Sequence, residues 1–200
     1  MILIPTKQNV ASGLQLHVVF GTNNSIYPAV TKSRLGNQPR FEFDEYSYHY
    51  LLKDRGQSIG TVTVTRNPDG RIDCQQFYPN ALFTQFGDRL CSTCKFYIRR
   101  NTATGLRALR FMIRGVWQHQ VSHGMRLDVI NATPSHIRFY QRIGYSVVAN
   151  SGFRHPLLGT RSVVMIMATD PDVRSFVQDL FVGLKDQLSL DAVRQFIKTL

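Results

Sequence analysis

The segment between residues 90 and 131 constrains the fold most, because its pattern predicts a strand, a helix and a second strand in close succession. Residues 90–99 and 126–131 have the composition of strands. Between them, apolar residues recur at helical spacing and predict a helix over 105–122, the repeating positions being Leu106, Leu109, Ile113 and Val116. A strand–helix–strand unit of this kind forms a parallel pair with a right-handed crossover.

The flanking segments add antiparallel strands to this unit. Residues 46–53 and 58–65 predict a hairpin across a turn at 54–57, and residues 14–20 form a further apolar run, either a strand or a short helix. A helix is predicted over 135–143, then two more strands over 145–149 and 161–168, whereas residues 21–40 are predicted to be a long loop. The fold class is therefore α/β (α+β), with a mixed central sheet flanked by helices.

The C-terminal segment has helical patterns over about 171–185 and 189–199. We therefore predict one domain over 1–168 and a helical extension over 169–200 that packs on it. No apolar run is long enough to span a membrane, and the start of the chain lacks the pattern of a signal peptide. Three cysteines are a sparse, odd set that favours a reducing cytoplasm.

Positive charge is concentrated in one part of the chain. The net charge is +11, and residues 89–127 carry eight lysines and arginines without a single acid. Such a block indicates a phosphate-bearing ligand, a nucleic acid or an acidic protein partner, unless it is only a solvated basic face. No helix-turn-helix, RNP or zinc-finger pattern is present, so nucleic-acid binding is not our preferred interpretation.

The turn between the strand at 90–99 and the following helix is a candidate phosphate site. Small residues and two arginines, Arg99 and Arg100, precede a helix N-terminus, whose backbone N–H groups favour an anion. The turn matches neither a Walker loop nor the three-glycine dinucleotide motif. An ordinary strand–helix turn is the alternative interpretation.

Two motifs in the same order and spacing resemble a known family. Arg100-x-x-Ala103-x-Gly105 is similar to the pyrophosphate-binding loop of the GNAT N-acyltransferases, and the run from Phe139 to Tyr145 resembles their later Phe-Tyr segment. The stretch from Pro134 to Tyr140 resembles the branch of long-chain N-acyl amino acid synthases, which are relatives of the acyl-homoserine-lactone synthases. The resemblance covers roughly residues 14–168.

The chain departs from the homoserine-lactone synthases at charged positions. Those enzymes have a glutamate and an arginine where this chain has Ser92 and Lys95, and another arginine where it has Thr63. We therefore expect an N-acyl amino acid synthase rather than a lactone synthase.

The resemblance implies a bacterial-type N-acyltransferase that moves an acyl group from a phosphopantetheine thioester to a small primary amine. The thioester would belong to acyl carrier protein or to coenzyme A. Its phosphate and pantetheine arm would contact the end of the strand, the loop and the next strand, at Phe96, Tyr97, Ile98, Arg99, Arg100, Ala103, Thr104, Gly105 and Asn131.

The same resemblance makes Tyr140 the acid that protonates the leaving sulfur, a role that suits a phenol with an ordinary pKa near 10. His136 lies one helical turn earlier and is predicted to orient Tyr140 or relay a proton, or else to be a capping residue. The base is left open among Asp44, Glu45, Asp128, His136 and water.

The donor prediction rests on charge. Arg107, Arg110 and Arg114 share one helix face beside the loop, which suits docking of the acidic acyl carrier protein. Coenzyme A is the alternative donor. An aromatic cluster formed by Phe77, Tyr78, Leu82, Phe83 and Phe86 is predicted to be core or, alternatively, the lining of an acyl cavity.

Three further interpretations stay open at this point. They are an acetyl-coenzyme A-dependent acetyltransferase, a GNAT-like domain that binds without catalysis, and a metal site. The last would pair Cys91 and Cys94 with His119 and His123, but the two cysteines would face opposite sides of a strand, so no metal is expected.

Overall fold

The architecture was obtained from a computed structural model, which describes residues 2–3, 13–33, 40–99, 105–148 and 150–168. The predicted C-terminal helices and most of the predicted phosphate loop, residues 100–104, lie outside these ranges. None of the described helices is long and apolar enough to cross a membrane.

The described strands form one mixed sheet. Its order is β1-β2-β3-β4-β5-β6-β9-β7, with β8 pairing to β9. All pairings are antiparallel except β5 with β6. The strands are β1 (Ile2–Leu3), β2 (Leu14–Phe20), β3 (Ser47–Asp54), β4 (Gln57–Arg66), β5 (Leu90–Ile98), β6 (Leu127–Ala132), β7 (Ser146–Val147), β8 (Phe153–Arg154) and β9 (Arg161–Ala168).

Helices cover both faces of the sheet. The described α-helices are α1 (Tyr27–Ser33), α2 (Asn80–Phe86), α3 (Gly105–Ser122) and α4 (Ile137–Arg142), and short 3₁₀ turns occupy Glu42–Tyr46, Gln75–Phe77 and Pro134–His136. The long helix α3 ends at Ser122, and Gly124, two residues later, has a φ of 88°, the left-handed conformation common just after helix ends. The result is a three-layer arrangement in which the sheet is the middle layer.

Three apolar clusters fill the spaces between these layers, the smallest being Val19, Ile26, Val30 and Leu51 beside α1. Under α3 and α4 the cluster includes Phe111, Met112, Trp117 and Tyr145 packed on the sheet. On the other face α2 packs onto β5, β6 and β9, with Leu82 and Leu90 fully buried. Burial of this apolar surface is the main force that holds the layers together.

The predicted hairpin, the parallel pair and the helix at 105–122 are confirmed, and residues 14–20, predicted as a strand or a short helix, form a strand. The prediction of a continuous loop over 21–40 is wrong, because α1 forms within it. Asn24 Oδ1 accepts the backbone N–H groups of Ile26 (3.0 Å) and Tyr27 (2.8 Å), and Pro28 stands in the first turn. An asparagine cap followed by a proline is a helix-start signal that the sequence does contain.

Other elements are shorter than predicted. The strand predicted over 145–149 is reduced to Ser146–Val147, and the helix predicted over 135–143 begins as a 3₁₀ turn before α4. Gly144, with a φ of 103°, lies two residues after the end of α4. Beyond β7 the Val148 N–H still donates to the Val164 carbonyl of β9, but the Val164 N–H donates to Ser151 Oγ (3.0 Å) and not to a continuing strand.

Candidate active site

The centre of the candidate site is an opening between β5 and β6. The two parallel strands pair only from Leu90↔Leu127 to Ser92↔Val129, although β5 continues to Ile98 and β6 to Ala132. Beyond the paired residues the two strands diverge. A gap of this kind exposes strand backbone groups, which can bind an extended ligand arm.

A bulge bends β5 at the same place. Thr61 pairs with Tyr97 and Thr63 with Cys94, so Lys95 and Phe96 together lie opposite Val62. Lys95 has a φ of 54°, which is the left-handed region. Two residues opposite one is the definition of a β-bulge, and such a bulge redirects the side chains that follow it. The strand prediction for residues 90–99 did not include this irregularity.

The bulge directs Lys95 into a buried ion pair with Asp44. Both side chains are almost fully buried, and the lysine ammonium also lies over the rings of Phe41 (4.1 Å) and Phe43 (4.9 Å). Tyr27 Oη (2.8 Å) and the backbone N–H of Phe41 (3.1 Å) donate to Asp44 Oδ2.

This environment argues against Asp44 as the base. Burial alone would raise the pKa of Asp44, but the charge and hydrogen bond of Lys95, with those of Tyr27 and Phe41, outweigh it and lower that pKa. A carboxylate held so firmly in its charged form is a weak proton acceptor. Asp44 and Lys95 therefore fix the 3₁₀ turn Glu42–Tyr46 against β5.

The Thr63 and Ser92 positions are buried and carry no charge. Thr63 Oγ1 lies 3.1 Å from His49 Nδ1, while His49 Nε2 is 2.9 Å from the Asp44 carbonyl oxygen, to which it donates. His49 Nδ1 therefore accepts from the Thr63 hydroxyl. The hydrogen-bonded pair of Thr63 on β4 and His49 on β3 is therefore buried within the sheet.

Tyr140 lies beside the opening, on α4. Its ring contacts those of Phe139 (5.1 Å) and Tyr145 (5.6 Å), and Phe139 in turn lies 6.2 Å from Phe96 on β5. The structure thus brings the Phe-Tyr motif and the bulged strand together. Burial, with smaller contributions from Asp128 and Cys94, raises the pKa of Tyr140 to about 12.

Asp128 is fully buried below Tyr140, on β6. Tyr145 Oη donates a hydrogen bond to its Oδ2, and Cys91 Sγ donates to Oδ1 at 3.6 Å. Burial raises the pKa of Asp128 to about 7, in spite of hydrogen bonds from Tyr145, Thr93 and Cys91. Its contacts are with core residues, so we assign it to the support of Tyr145 and not to contact with substrate.

The other predicted site residues are distributed around this centre. His136 is exposed in the 3₁₀ turn before α4, where its Nδ1 lies 2.9 Å from Thr133 Oγ1. Tyr97 and Ile98 are half-buried and Arg99 is exposed at the end of β5, while Gly105 is the first residue of α3. Their roles stay predictions, and Arg100, Ala103 and Thr104 lie outside the described residues.

Asn131 stands near the end of β6, at the opening. The hydroxyl of Tyr78 donates to Asn131 Oδ1 at 2.7 Å, and Asn131 Nδ2 donates to Asp73 Oδ2 at 3.4 Å. Tyr78 belongs to the aromatic cluster, and the structure places most of that cluster in the core under α2. Phe77 is the exception, because it is partly exposed and stacks on Phe153 at 4.3 Å.

Asp73, the hydrogen-bond partner of Asn131, is part of the wall of a cavity of about 940 Å³. Three segments line it, which are the 3₁₀ turn with residues 40–46, the connection 71–76 after β4, and residues 155–157 before β9. Sequence reasoning missed the cavity, since its lining residues come from segments distant in the chain. In the sequence, the one sign of these lining residues is that several of them are polar and lie in segments predicted to be loops.

The wall of this cavity also holds residues that can ligate a metal. Across the described part of the chain, one group of three such residues comes together, formed by Asp73, Cys74 and His155. The pairs Cys91–Cys94 and His119–His123 do not join in such a group. His119 Nδ1 instead lies 2.7 Å from Tyr50 Oη, and burial followed by the charges of His123 and Arg66 lowers the pKa of His119 to about 4.

Comparison with known proteins gives a family match. Residues 16–169 match the family model described as N-acyl amino acid synthase FeeM. No curated protein matches the sequence closely enough to count as a relative.

Solved structures show the same fold. The structure of FeeM, an N-acyl amino acid synthase from uncultured soil microbes, is similar with a TM-score of 0.63 and 14% identity, over 84% of this chain and 98% of that one. The acyl-homoserine-lactone (AHL) synthase LasI gives a TM-score of 0.57 and 12% identity, over 90% and 100% of the two chains. The CoA-dependent acyl-homoserine-lactone synthase MesI gives a TM-score of 0.52 and 14% identity, over 88% of this chain and 99% of that one.

Proposed function

Because the chain belongs to the N-acyl amino acid synthase FeeM family and is therefore an N-acyltransferase, we propose that it moves a fatty acyl group from acyl carrier protein to the amine of an amino acid. The observation that carries this proposal is the divergence of β5 from β6 next to Tyr140. The opening is suited to an extended thioester arm, and Tyr140 is suited to act on its sulfur.

The reaction requires two proton movements. The free amine attacks the thioester carbonyl, a C–N bond forms, the C–S bond breaks and the sulfur leaves as a thiol. Tyr140 donates the proton that the sulfur gains, because its pKa of about 12 keeps the phenol protonated at neutral pH. A backbone N–H of β5 near Phe96 would stabilise the negative charge on the carbonyl oxygen.

The amine must lose a proton, and the protein's base for that step remains one of several groups. Asp44 is disfavoured by its ion pair with Lys95. Glu45 is exposed, forms an ion pair with Arg40 and lines the cavity. His136 is exposed to solvent and can relay a proton to water. These observations favour a base on the cavity side or water.

The donor proposal rests on the arginine face of α3, formed by Arg107, Arg110 and Arg114. Arg107 and Arg110 are exposed, and Arg114 is half-buried one turn later. An acidic carrier protein would be attracted to such a face, and its pantetheine arm would then enter at the N-terminus of α3. The three cysteines are free, which supports a cytoplasmic location for the enzyme.

The test is release of free thiol from defined donors. Palmitoyl- and octanoyl-acyl carrier protein are compared with palmitoyl-, octanoyl- and acetyl-coenzyme A, each with a mixture of amino acids. The proposal expects amine-dependent release that is fastest with the long-chain carrier protein and slowed in Tyr140→Phe. Release from acetyl-coenzyme A alone would make the protein an acetyltransferase, and no release from any donor would favour a binding domain.

A further inference from the structure

The cavity beside the candidate site has an electrostatic feature that the acyl-transfer proposal leaves unused. Its wall contains Asp73, whose side chain is only 12% exposed. Oδ2 of this carboxylate accepts from Asn131 Nδ2 and from His155 Nε2, both at 3.4 Å. Among the residues that the structure describes, no lysine or arginine lies within ion-pair distance of it.

His155 holds the carboxylate as a neutral donor. Its Nδ1 accepts the backbone N–H groups of Leu157 and Leu158, each at 3.3 Å, so that nitrogen carries a lone pair. The proton of the neutral ring therefore resides on Nε2, which points at Asp73. In this tautomer Nε2 has no lone pair for a metal ion, which argues against a metal on Asp73, Cys74 and His155.

The negative charge of a buried carboxylate is only partly compensated when all of its hydrogen-bond donors are neutral. Hydrogen bonds from amide and imidazole groups orient it, but they supply no positive charge. A cationic ligand in the cavity would provide the missing charge, and the compact ammonium group of an amine matches a carboxylate that is fixed in place by two neighbours. The cavity wall thus offers a negatively charged group to a ligand.

The rest of the cavity matches the other parts of an α-amino acid. Arg71, two residues before Asp73, is exposed and lines the same space, with its Nη2 3.3 Å from Gln76 Oε1. A guanidinium group there can bind a carboxylate. Apolar lining is supplied by Phe41, Phe43, Ile72 and Leu157.

We propose that this cavity is the acceptor site, in which Asp73, positioned by Asn131 and His155, binds the ammonium group of an apolar or aromatic α-amino acid while Arg71 binds its carboxylate. This inference rests on the proposed acyl transfer and specifies its acceptor, whose ammonium group gives one proton to water in the open cavity to become the free amine that attacks. Asn131 links the cavity to the reaction centre, because it lies on β6 beyond the residues paired with β5 and donates to Asp73 in the cavity wall at 3.4 Å.

The test measures acceptor binding without any acyl donor. L-phenylalanine, L-leucine, phenethylamine and 3-phenylpropanoate are titrated by saturation-transfer NMR into the full chain. Both amino acids should bind, phenethylamine should bind more weakly, and 3-phenylpropanoate should bind least. Asp73→Asn should weaken L-phenylalanine binding by about 10- to 100-fold, the usual effect of losing a charge-assisted hydrogen bond.

Three controls accompany this titration. Asp88→Asn makes the same chemical change at an exposed aspartate outside the cavity and should bind L-phenylalanine as the wild type does. Arg71→Gln changes an exposed position and poses little risk to folding. It should weaken the binding of L-phenylalanine but not that of phenethylamine. Thermal unfolding confirms that Asp73→Asn is folded.

Transfer kinetics separate this inference from the proposed function. Asp73→Asn should raise the acceptor KM by at least 10-fold and leave the KM of the acyl donor unchanged. Transfer by the wild type with an unchanged acceptor KM in Asp73→Asn would overturn the acceptor site alone. Binding that depends on Asp73 without transfer from any donor would overturn the proposed function alone.

Other occupants of the cavity would also overturn the assignment. If neither amino acid binds the wild type, or if dodecanoate displaces L-phenylalanine and binds equally well to Asp73→Asn, the cavity does not select an amine. Stoichiometric zinc that is lost in Asp73→Asn would make the Asp73, Cys74 and His155 group a metal site.

Discussion

Tyr140 and Asp128 illustrate how burial sets the chemistry of single residues in this protein. Tyr140 is half-buried against Phe139 and Tyr145, and Tyr145 is hydrogen-bonded to Asp128. The pKa of the phenol rises to about 12 and that of the carboxyl to about 7, in both cases chiefly because of burial. Both shifts lead to measurable pH effects.

Tyr140→Phe should lower kcat by roughly 10²- to 10⁴-fold, which is the usual contribution of a general acid. Because the pKa of Tyr140 is about 12, the wild-type rate should show no alkaline loss of this acid up to about pH 10. The measurement is kcat against pH for a long-chain donor. A decline in the wild-type kcat near pH 8 that disappears in Tyr140→Phe would contradict this assignment.

Asp128→Asn should change how stability depends on pH. The folded-state pKa of about 7 exceeds the unfolded value of 3.8, so the native state binds more protons between these values. The carboxyl group therefore lowers wild-type stability progressively as pH rises from about 4 to 7. We expect the wild type to lose stability relative to Asp128→Asn across this range, as measured by urea unfolding. A constant difference between the two proteins would refute this assignment.

Among the secondary-structure elements, the bulge in β5 has the largest effect on the site. It turns Lys95 toward Asp44, and the resulting ion pair joins β5 to the 3₁₀ turn that forms one wall of the cavity. A buried pair of this kind is sensitive to loss of one partner, since the other is left charged and unsolvated.

Replacement of Lys95 by Met should destabilise the fold by about 3–5 kcal/mol, and Asp44→Asn should have a similar effect. The double variant Asp44→Asn with Lys95→Met should lose less than the sum of the two, because no unpaired charge remains. Denaturant unfolding of the four proteins gives this comparison. Additive losses would mean that the two side chains do not stabilise each other.

The sequence predicts regular elements here better than it predicts irregular ones. The hairpin, the parallel β5–β6 pair and the long helix α3 follow from hydrophobic periodicity, which the structure preserves. The bulge at Lys95 could not be predicted, because the residue in a left-handed conformation is not a glycine. Helix α1 could have been found from Asn24 and Pro28.

The residues of the candidate site also differ in how far the sequence predicts them. Tyr140 is predicted from a motif and Phe96 from the family resemblance, and the structure brings their segments together. Asp73, His155 and Arg71 belong to no motif, and they meet only because three connecting segments converge beside the sheet. Such convergence depends on tertiary packing, which local sequence patterns do not encode.

At the scale of the whole molecule, charge and shape give the two sides of the sheet different roles. The arginines of α3 offer a basic surface near the N-terminus of that helix, and the cavity with Asp73 lies toward the connections at residues 71–76 and 155–157. On this account the donor protein docks on the basic surface and the acceptor amine occupies the cavity.

A triple variant that replaces Arg107, Arg110 and Arg114 by serine should have a kcat/KM for palmitoyl-acyl carrier protein at least 10-fold lower than that of the wild type. The loss should be smaller at high salt, since screening already weakens the attraction between the two wild-type proteins. Arg161→Ser, at an exposed arginine on β9, is the matched control and should keep wild-type kinetics. Equal kcat/KM values for the triple variant and the wild type would exclude docking on this face.

The most direct test of the central claim is the mass spectrum of the product that the purified chain forms from palmitoyl-acyl carrier protein and an equimolar set of amino acids. We expect an N-palmitoyl amide of an apolar or aromatic amino acid, formed in parallel with free carrier-protein thiol and strongly reduced in Tyr140→Phe. Free palmitate as the sole acyl product, or the same amide yield without enzyme, would contradict it.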